Sequence, residues 1–251
     1  MSDLRFAAPK ERRVALVTGG ARGIGQASAL RLAREGRDLA LLDLLPDDGA
    51  RTIAAIEVLG QRAIYLRADV TDESAVHNAV AQTVAQLGRL DILVCCAGVL
   101  GAEVPFLEQT SAEFERVQRI NLHGVFYAHQ AAVPHMLARG WGRCVTITSG
   151  ARLGATHVVP YACSKGAVWS LVRALGNAWP RQNVFVNGVE PGRALTDMVV
   201  PRFSQDFLDD PPVAIGRYAD PEEVAEIVAF LCSERNTYTT GSVWSVKGNS
   251  G

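Results

Sequence analysis

The chain has 251 residues, of which 48% are hydrophobic and 20% are charged, and its formal net charge is −1. This length and composition predict one large α/β domain with a substantial core. The charge balance lacks the basic excess of nucleic-acid-binding proteins, and no apolar run approaches the roughly 20 residues that a membrane span needs. We therefore expect neither nucleic acid nor membrane among its partners.

The pattern of apolar residues predicts the elements in chain order. Residues 1–13 are polar and mixed in charge, which predicts a disordered or extended lead-in. From 14 to 251, short apolar runs alternate with segments of helical period, which is typical of a single doubly wound domain with a parallel sheet. Strands are predicted at 14–18, 39–43, 63–67, 92–95, 144–148, 184–189 and 243–246, and helices at 24–35, 47–59, 73–87, 111–138, 158–179 and 221–233.

A glycine-rich turn follows the first predicted strand. Gly19, Gly23 and Gly25 have the spacing G-x-x-x-G-x-G, with Arg22 and Ile24 between them. Such glycines permit a tight turn and close approach of the backbone to a pyrophosphate, and the next helix points its N-terminal amides at the phosphates. Because the turn joins a strand to a helix at the first βα unit, it predicts dinucleotide binding.

Asp43 ends the second predicted strand and bears on the choice of dinucleotide. A carboxylate at this place would accept hydrogen bonds from both adenosine ribose hydroxyls and repel a 2′-phosphate, which favours NAD. Arg22 in the glycine-rich turn would instead pair with a 2′-phosphate, so NADP is the alternative cofactor. A turn cap is the structural alternative for Asp43.

The next two strands end in residues suited to a cofactor. Asp69 and Val70 close the third strand, where the carboxylate would accept from the adenine amino group. Ala97 and Gly98 follow the fourth, and their small side chains would let the backbone approach the cofactor. We expect all four residues to contribute to the dinucleotide site.

Two further features fall later in the chain. Asn121 lies within the long predicted helix, where an amide is either satisfied in the core or marks a kink that holds a water molecule. Pro191 and Gly192 give a sharp turn after the sixth strand, and Thr196 is placed to hydrogen-bond the pyrophosphate or the nicotinamide amide.

Tyr161 and Lys165 carry the strongest indication of chemistry. At i and i+4 of a predicted helix, their side chains leave the same face. The ordinary pKa of tyrosine is about 10, and a neighbouring ammonium together with a cationic nicotinamide would bring it toward about 7. Ser149, at the end of the fifth strand, is placed to donate to a substrate oxygen. This set predicts general acid–base chemistry on an alcohol or ketone.

Taken together, these residues resemble the short-chain dehydrogenase/reductase family over 14 to about 248. The resemblance implies a three-layer Rossmann-type fold with about seven parallel strands, and NAD(P)-dependent hydride transfer between a secondary alcohol and a ketone. It implies that Tyr161 is the acid/base, that Lys165 lowers its pKa and binds the ribose, that Ser149 positions the substrate, and that Asn121 holds a water of the proton relay. It also implies a homotetramer built partly through the helices that carry Asn121 and Tyr161.

Three positions depart from the pattern of that family. Cys95 and Cys96 replace the usual Asn-Asn, so we expect weaker bracing of the sheet there. The interval between Ser149 and Tyr161 is one residue shorter than is common, which leaves Thr148 as an alternative source of the hydroxyl. Lys247 stands where the family has the Asp of Asp-Gly-Gly.

The substrate is predicted less directly. Arg152, His157 and Arg193 are candidates to anchor a carboxylate, phosphate or sugar hydroxyl, with solvent exposure as the alternative. We expect a small polar alcohol, such as a polyol, sugar derivative or cyclic diol. The segment 193–219 is long and rich in proline, which predicts a substrate lid, or else a surface excursion or oligomer contact. The alternatives are an NADPH-dependent 3-oxoacyl or ketone reductase and a dinucleotide-sensing regulator without catalysis.

The five cysteines bear on the compartment. Their odd number and their spacing match neither a disulfide framework nor a zinc site. Reduced thiols are typical of the cytoplasm. We therefore expect a cytoplasmic protein without a metal site.

Overall fold

A computed structural model of the chain describes residues 12–198, 200 and 205–249, without the side chain of Phe207. Of the predicted lead-in, residues 1–11 lie outside this description, as do five residues of the predicted lid, at 199 and 201–204. Among the described residues, no helix combines the length and the apolar character that crossing a membrane requires.

Seven parallel strands form one sheet in the middle of the molecule. They are β1 (Val14–Thr18), β2 (Asp38–Asp43), β3 (Ala63–Arg67), β4 (Ile92–Cys95), β5 (Gly142–Ile147), β6 (Val184–Pro191) and β7 (Val243–Val246). Their order across the sheet is β3-β2-β1-β4-β5-β6-β7. The order reverses between β1 and β4, and a reversal of this kind opens a crevice at the carboxyl ends of the strands.

Helices cover both faces of the sheet. They are α1 (Gly23–Arg34), α2 (Pro46–Val58), α3 (Glu73–Leu87), α4 (Ser111–Gln118), α5 (Gly124–Arg139), α6 (Val159–Gly176), α7 (Gln205–Asp209) and α8 (Pro221–Leu231). The apolar side chains of α1, α2 and α8 pack in one core layer, and those of α3, α5 and α6 pack in the other. The three-layer, doubly wound prediction is confirmed.

Local sequence explains where several helices begin. The Thr110 hydroxyl accepts a hydrogen bond from the Glu113 amide at the start of α4. At the start of α8, Asp220 and Glu223 form a reciprocal capping box around Pro221. These side chains satisfy backbone amides that have no partner inside a helix.

Several predicted boundaries differ from the structure by a few residues, and two of the differences have long-range causes. The single helix predicted over 111–138 is divided by a π-helical turn, Arg119–His123, between α4 and α5. The strand predicted at 144–148 begins instead at Gly142, because Gly142 pairs with Val184 on the neighbouring strand β6. Neither feature is encoded in the local apolar period.

Candidate active site

The glycine-rich turn between β1 and α1 tolerates no side chain at two places. A Cβ on Gly19 would lie 2.6 Å from the Ala97 nitrogen, and a Cβ on Gly25 would lie 1.9 Å from the Gly19 carbonyl oxygen. Gly19 and Gly23 also have positive φ, at 65° and 57°, a conformation that favours glycine. The turn therefore brings bare backbone and the first amides of α1 to the edge of the crevice.

A cavity of about 400 Å³ lies above the carboxyl ends of the central strands. Its volume is that of a small-molecule or cofactor site. The glycine-rich turn, which has no room for side chains at Gly19 and Gly25, lines the cavity together with the Asp43 carboxylate. Bare backbone for a pyrophosphate and a carboxylate for a ribose are what a dinucleotide needs, so the residues present fit this cofactor. Of the predicted residues, the cavity is lined by Gly19, Arg22, Gly23, Ile24, Gly25, Asp43, Asp69, Val70, Ala97, Gly98, Ser149, Tyr161, Lys165, Pro191, Gly192 and Thr196.

Asp43 is both a turn cap and part of the cavity wall. One carboxylate oxygen accepts from the Ala21 amide at 3.0 Å, and the other accepts from the amides of Leu44 at 2.7 Å and Leu45 at 3.2 Å. These bonds use three of the roughly four acceptor positions of a carboxylate. These bonds fix the orientation of the carboxylate and leave it about one position to accept a further hydrogen bond. The sequence led us to expect that it would accept from two ribose hydroxyls.

Arg22 is engaged by an acid across the mouth of the cavity. Its Nη1 lies 3.6 Å from Oδ2 of Asp197, and both side chains are exposed. Asp197 follows Thr196, whose methyl carbon would lie 3.5 Å from a Cβ on Gly23. The segment after β6 thus contacts the glycine-rich turn. The Arg22 guanidinium is paired with the Asp197 carboxylate and not left to bind a 2′-phosphate.

Asn121 joins three segments near the cavity. It is fully buried in the π-helical turn. Its oxygen accepts from the Val99 amide at 2.8 Å, and its nitrogen donates to the Val99 carbonyl at 2.9 Å and to the Ser164 hydroxyl at 3.0 Å. Because both amide protons are used, the side chain has no donor left for the predicted relay water, and only acceptor capacity remains.

Tyr161, Lys165 and Ser149 meet at one end of the cavity. Tyr161 and Lys165 lie in the first turns of α6, and the Lys165 Nζ is 5.6 Å from the centre of the Tyr161 ring. Ser149 follows β5, and its hydroxyl lies close enough to the Tyr161 hydroxyl to favour the ionised phenol. The Thr148 hydroxyl instead donates to the Val189 carbonyl at 3.1 Å. Ser149 is thus the hydroxyl that reaches the phenol.

The protein environment acts on both titrating groups of this set. Desolvation raises the pKa of Tyr161, and the Ser149 hydrogen bond opposes that rise without cancelling it. Burial lowers the pKa of Lys165 to about 8, although its ammonium donates to the Ile147 carbonyl at 2.8 Å. The chain alone therefore does not bring the Tyr161 pKa down, and the lowering expected from the sequence would require a further positive charge, such as that of an oxidised nicotinamide.

The turn after β6 completes the wall. The Gly192 amide donates to the Val246 carbonyl at 2.7 Å, which ties the Pro191-Gly192 turn to the end of β7. The Leu195 amide donates to the Ala219 carbonyl at 2.9 Å, and the Ala219 amide donates to the Arg193 carbonyl at 3.0 Å. These bonds hold the two ends of the predicted lid segment, 193–219, together beside the cavity.

The three charged residues predicted for the substrate do not line the cavity. Arg152 is drawn away by an ion pair with Glu190. His157 is exposed, and its backbone carbonyl accepts from the Val104 amide at 3.0 Å. Arg193 is exposed at the base of the predicted lid. The lining of the cavity thus gives no support to substrate contacts by these three residues, and their role stays a prediction.

Sequence reasoning missed several mostly apolar residues of the wall. Most of them lie at or shortly after strand ends that the sequence did locate, so position beside a predicted carboxyl edge was the available signal. Ile120 lies instead on the π-helical turn. The missed residues are Leu42, Leu44, Leu45, Ala68, Cys96, Ile120, Ile147, Ala194, Asp197 and Met198.

Comparisons with known proteins agree with this geometry. The family model described as short chain dehydrogenase matches residues 13–206. A 2-dehydro-3-deoxy-L-rhamnonate dehydrogenase (NAD(+)) of Sphingomonas sp. (strain SKA58) is 36% identical over 97% of this chain and 97% of its own length. A cis-4-hydroxycyclohexanecarboxylate dehydrogenase of Sinomonas cyclohexanicum is 37% identical over 94% of this chain and 95% of its own.

A solved structure is also similar over its whole length. The crystal structure of NAD+-bound xylitol dehydrogenase matches with a TM-score of 0.87 and 32% identity, covering 96% of this chain and 100% of that one. The family match spans most of the chain, and the fold and the arrangement of the cavity residues agree with it. The chain belongs to the short-chain dehydrogenase family.

Proposed function

We propose that the protein is an NAD-dependent dehydrogenase that interconverts a secondary alcohol and a ketone on a small polar molecule, such as a polyol, sugar derivative or cyclic diol. The observation that carries the proposal is the convergence of Tyr161, Lys165 and Ser149 at one end of a cavity whose other residues fit a dinucleotide. The named relatives act on a sugar acid and a hydroxycyclohexane carboxylate, and the solved neighbour is named for a polyol.

NAD is supported by the charges around the glycine-rich turn. The Asp43 carboxylate is fixed in the cavity wall by backbone amides, where a 2′-phosphate would meet like charge. Arg22 is paired with Asp197. Both observations disfavour the alternative of an NADPH-dependent reductase.

In this mechanism the chain's own residues position and move one proton. The Tyr161 phenolate accepts the proton of the substrate hydroxyl, and Ser149 orients that hydroxyl by hydrogen bonding. Bound oxidised nicotinamide supplies the hydride acceptor. Lys165, in its protonated form, stabilises the phenolate by charge, and the buried wall around it excludes water and so strengthens that attraction. Asn121 holds the segment at Val99 in place beside them.

The test is an absorbance screen at 340 nm with NAD and a panel of polyols, sugar derivatives and cyclic diols. Tyr161→Phe should retain NADH binding and lose more than nine-tenths of the turnover, because general acid–base catalysis is typically worth about 10²-fold or more. Tyr238→Phe, at a residue that is 97% exposed, is the matched control and should turn over like the wild type. Dinucleotide binding without turnover of any alcohol or ketone would replace the enzyme with a sensing regulator.

The proposal extends to assembly and compartment. We propose a homotetramer, supported by aromatic residues that remain exposed on α4, α5 and the edge strand β7, namely Phe114, Phe126 and Trp244. Light scattering during gel filtration measures the mass in solution. All five cysteines lie among the described residues as free thiols, which supports a cytoplasmic location.

A further inference from the structure

A buried carboxylate lies directly behind the cavity wall. Glu190 is the residue of β6 that precedes the Pro191-Gly192 turn, and its side chain has no exposure to solvent. Its two oxygens accept hydrogen bonds from Arg152, Lys247 and Ser245. None of these four residues lines the cavity, so the mechanism above does not use them.

The charges of this group depend on one another. Burial by itself would raise the pKa of Glu190, but the hydrogen bonds from Lys247 and Arg152 outweigh it and hold the pKa below its ordinary value. A buried carboxylate is costly unless it is paired and hydrogen-bonded. The charge of Glu190 is therefore stabilised by both cations, and Glu190 forms an ion pair with each of them.

The group connects three separate segments of chain. Arg152 belongs to the 3₁₀ turn Gly150–Leu153, which begins directly after Ser149. Lys247 follows β7, and its Nζ would lie 3.4 Å from a Cβ on Gly150. Glu190 comes from β6. The Glu190 carboxylate thus links the turn after Ser149 to the ends of β6 and β7.

The position of that turn fixes Ser149. The Ala151 amide donates to the Ser149 hydroxyl oxygen at 3.2 Å, and the Arg152 amide donates to the Ser149 carbonyl at 3.2 Å. The guanidinium of Arg152 also lies 5.2 Å from the centre of the Trp169 ring on α6, the helix that carries Tyr161. Displacing Arg152 would therefore move Ser149 relative to Tyr161.

We propose that Glu190 is a positioning residue, which acts through Arg152 and Lys247 to hold the Ser149 hydroxyl against the Tyr161 phenol. The proposal concerns the geometry of the chain, and its effect on turnover rests on the proposed function. It also assigns a purpose to Lys247, which replaces the usual Asp of the family at that position. Loss of the Glu190 charge should then have the same effect at Tyr161 as a weakened Ser149 hydrogen bond.

The experiment is a double-mutant cycle of Glu190→Gln and Ser149→Ala. The phenolate absorbance at 295 nm is titrated in NAD-saturated protein, and the Tyr161 contribution is isolated by repeating each titration with Tyr161→Phe. Both single variants should raise the pKa of Tyr161. Glu190→Gln should lower kcat/KM about tenfold, a part of the 10²–10³-fold that loss of one positioned donor costs. The double variant should match Ser149→Ala, because the two residues act through one hydrogen bond.

Glu234→Gln is the matched control. Glu234 pairs with Arg13 and Arg37 away from the cavity, so its loss tests the removal of a partly buried ion pair alone. A Glu190→Gln variant that melts earlier but keeps the Tyr161 titration and kcat/KM of the folded protein would overturn the proposal, as would effects that multiply in the double variant. If no alcohol is oxidised by the wild type, the proposed function fails, while the titration still decides the position of Ser149.

Discussion

Lys165 satisfies two opposing demands at one atom. Its ammonium has to lie near the Tyr161 phenol, yet the same position is buried, and burial lowers its pKa from 10.5 to about 8. Within the described part of the chain, the Ile147 carbonyl accepts its hydrogen bond. The protein therefore maintains a cation at neutral pH in a place that disfavours charge.

This conflict predicts a pH-dependent cost to stability. Between about pH 8 and 10.5 the unfolded chain binds the Lys165 proton more tightly than the folded chain, so the free energy of unfolding rises with pH. Between pH 7.5 and 9.5 the wild type should gain about 2 kcal/mol relative to Lys165→Met, which has no proton to lose. Urea denaturation of both proteins at these two pH values measures the difference, in which other titrating groups cancel.

The absolute stability of Lys165→Met is a weaker criterion, because the variant also leaves the Ile147 carbonyl without its donor. The criterion that decides is the slope of the free energy of unfolding against pH. Parallel stability curves for the two proteins across this range would mean that Lys165 keeps its ordinary pKa in the folded state. Turnover should be lost in the variant at every pH, since the phenolate loses its neighbouring charge.

The π-helical turn between α4 and α5 is stabilised by side-chain hydrogen bonds to neighbouring segments. Asn121, on that turn, hydrogen-bonds both backbone groups of Val99 and the hydroxyl of Ser164. These bonds connect the segment after β4 with α6. An element that departs from α-helical geometry is thus retained by contacts with residues distant in sequence.

Asn121→Leu tests this account. The variant keeps the approximate volume but leaves the Val99 amide and carbonyl without the Asn121 partner. A buried unsatisfied group costs about 1–3 kcal/mol, and the Val99 groups are only partly buried. We expect a loss of roughly 1–3 kcal/mol in the free energy of unfolding. Asn177→Leu, on an exposed residue at the end of α6, should change it by no more than about 0.5 kcal/mol. Equal stability of the Asn121 variant and the wild type would show that the turn does not depend on these bonds.

The same turn shows how far sequence reasoning reaches. The strands, the glycine-rich turn and the Tyr161–Lys165 pair were predicted from local spacing, because period and turn chemistry act within a few residues. A kink at Asn121 was one of two alternatives drawn from the sequence, but its π-helical form and the bonds of Asn121 were not predicted, because they depend on Val99 and Ser164. Arg152 was assigned to the substrate for a similar reason, since its partner Glu190 is distant in sequence and only the fold brings the two together.

The carboxyl and amino ends of the strands differ in the kind of residues that they hold. The residues that line the cavity, and to which we assign dinucleotide binding and catalysis, lie at the carboxyl edge. At the amino edge, fully buried Asp91 accepts hydrogen bonds from Arg89 at 2.7 Å and from the Val14 amide at 3.0 Å, and pairs with Arg13 at 3.4 Å. This arrangement ties the beginning of β1 to the beginning of β4. Stability at one edge and chemistry at the other should therefore respond separately to substitution.

Asp91→Asn tests that separation. The amide retains the shape of the side chain but removes the charge that two arginines face, and breaking a buried pair from one side costs about 3–5 kcal/mol. Because Arg13 and Arg89 keep some exposure, at 14% and 16% of their side chains, we expect the lower end, about 3 kcal/mol in urea denaturation. At a temperature where the variant stays folded, kcat/KM should remain within twofold of the wild type. Asp47→Asn, at an exposed residue of α2, should change stability by about 0.5 kcal/mol or less. A stable Asp91→Asn variant with impaired turnover would reverse the assignment of the two edges, because it would place the amino edge in the catalytic machinery.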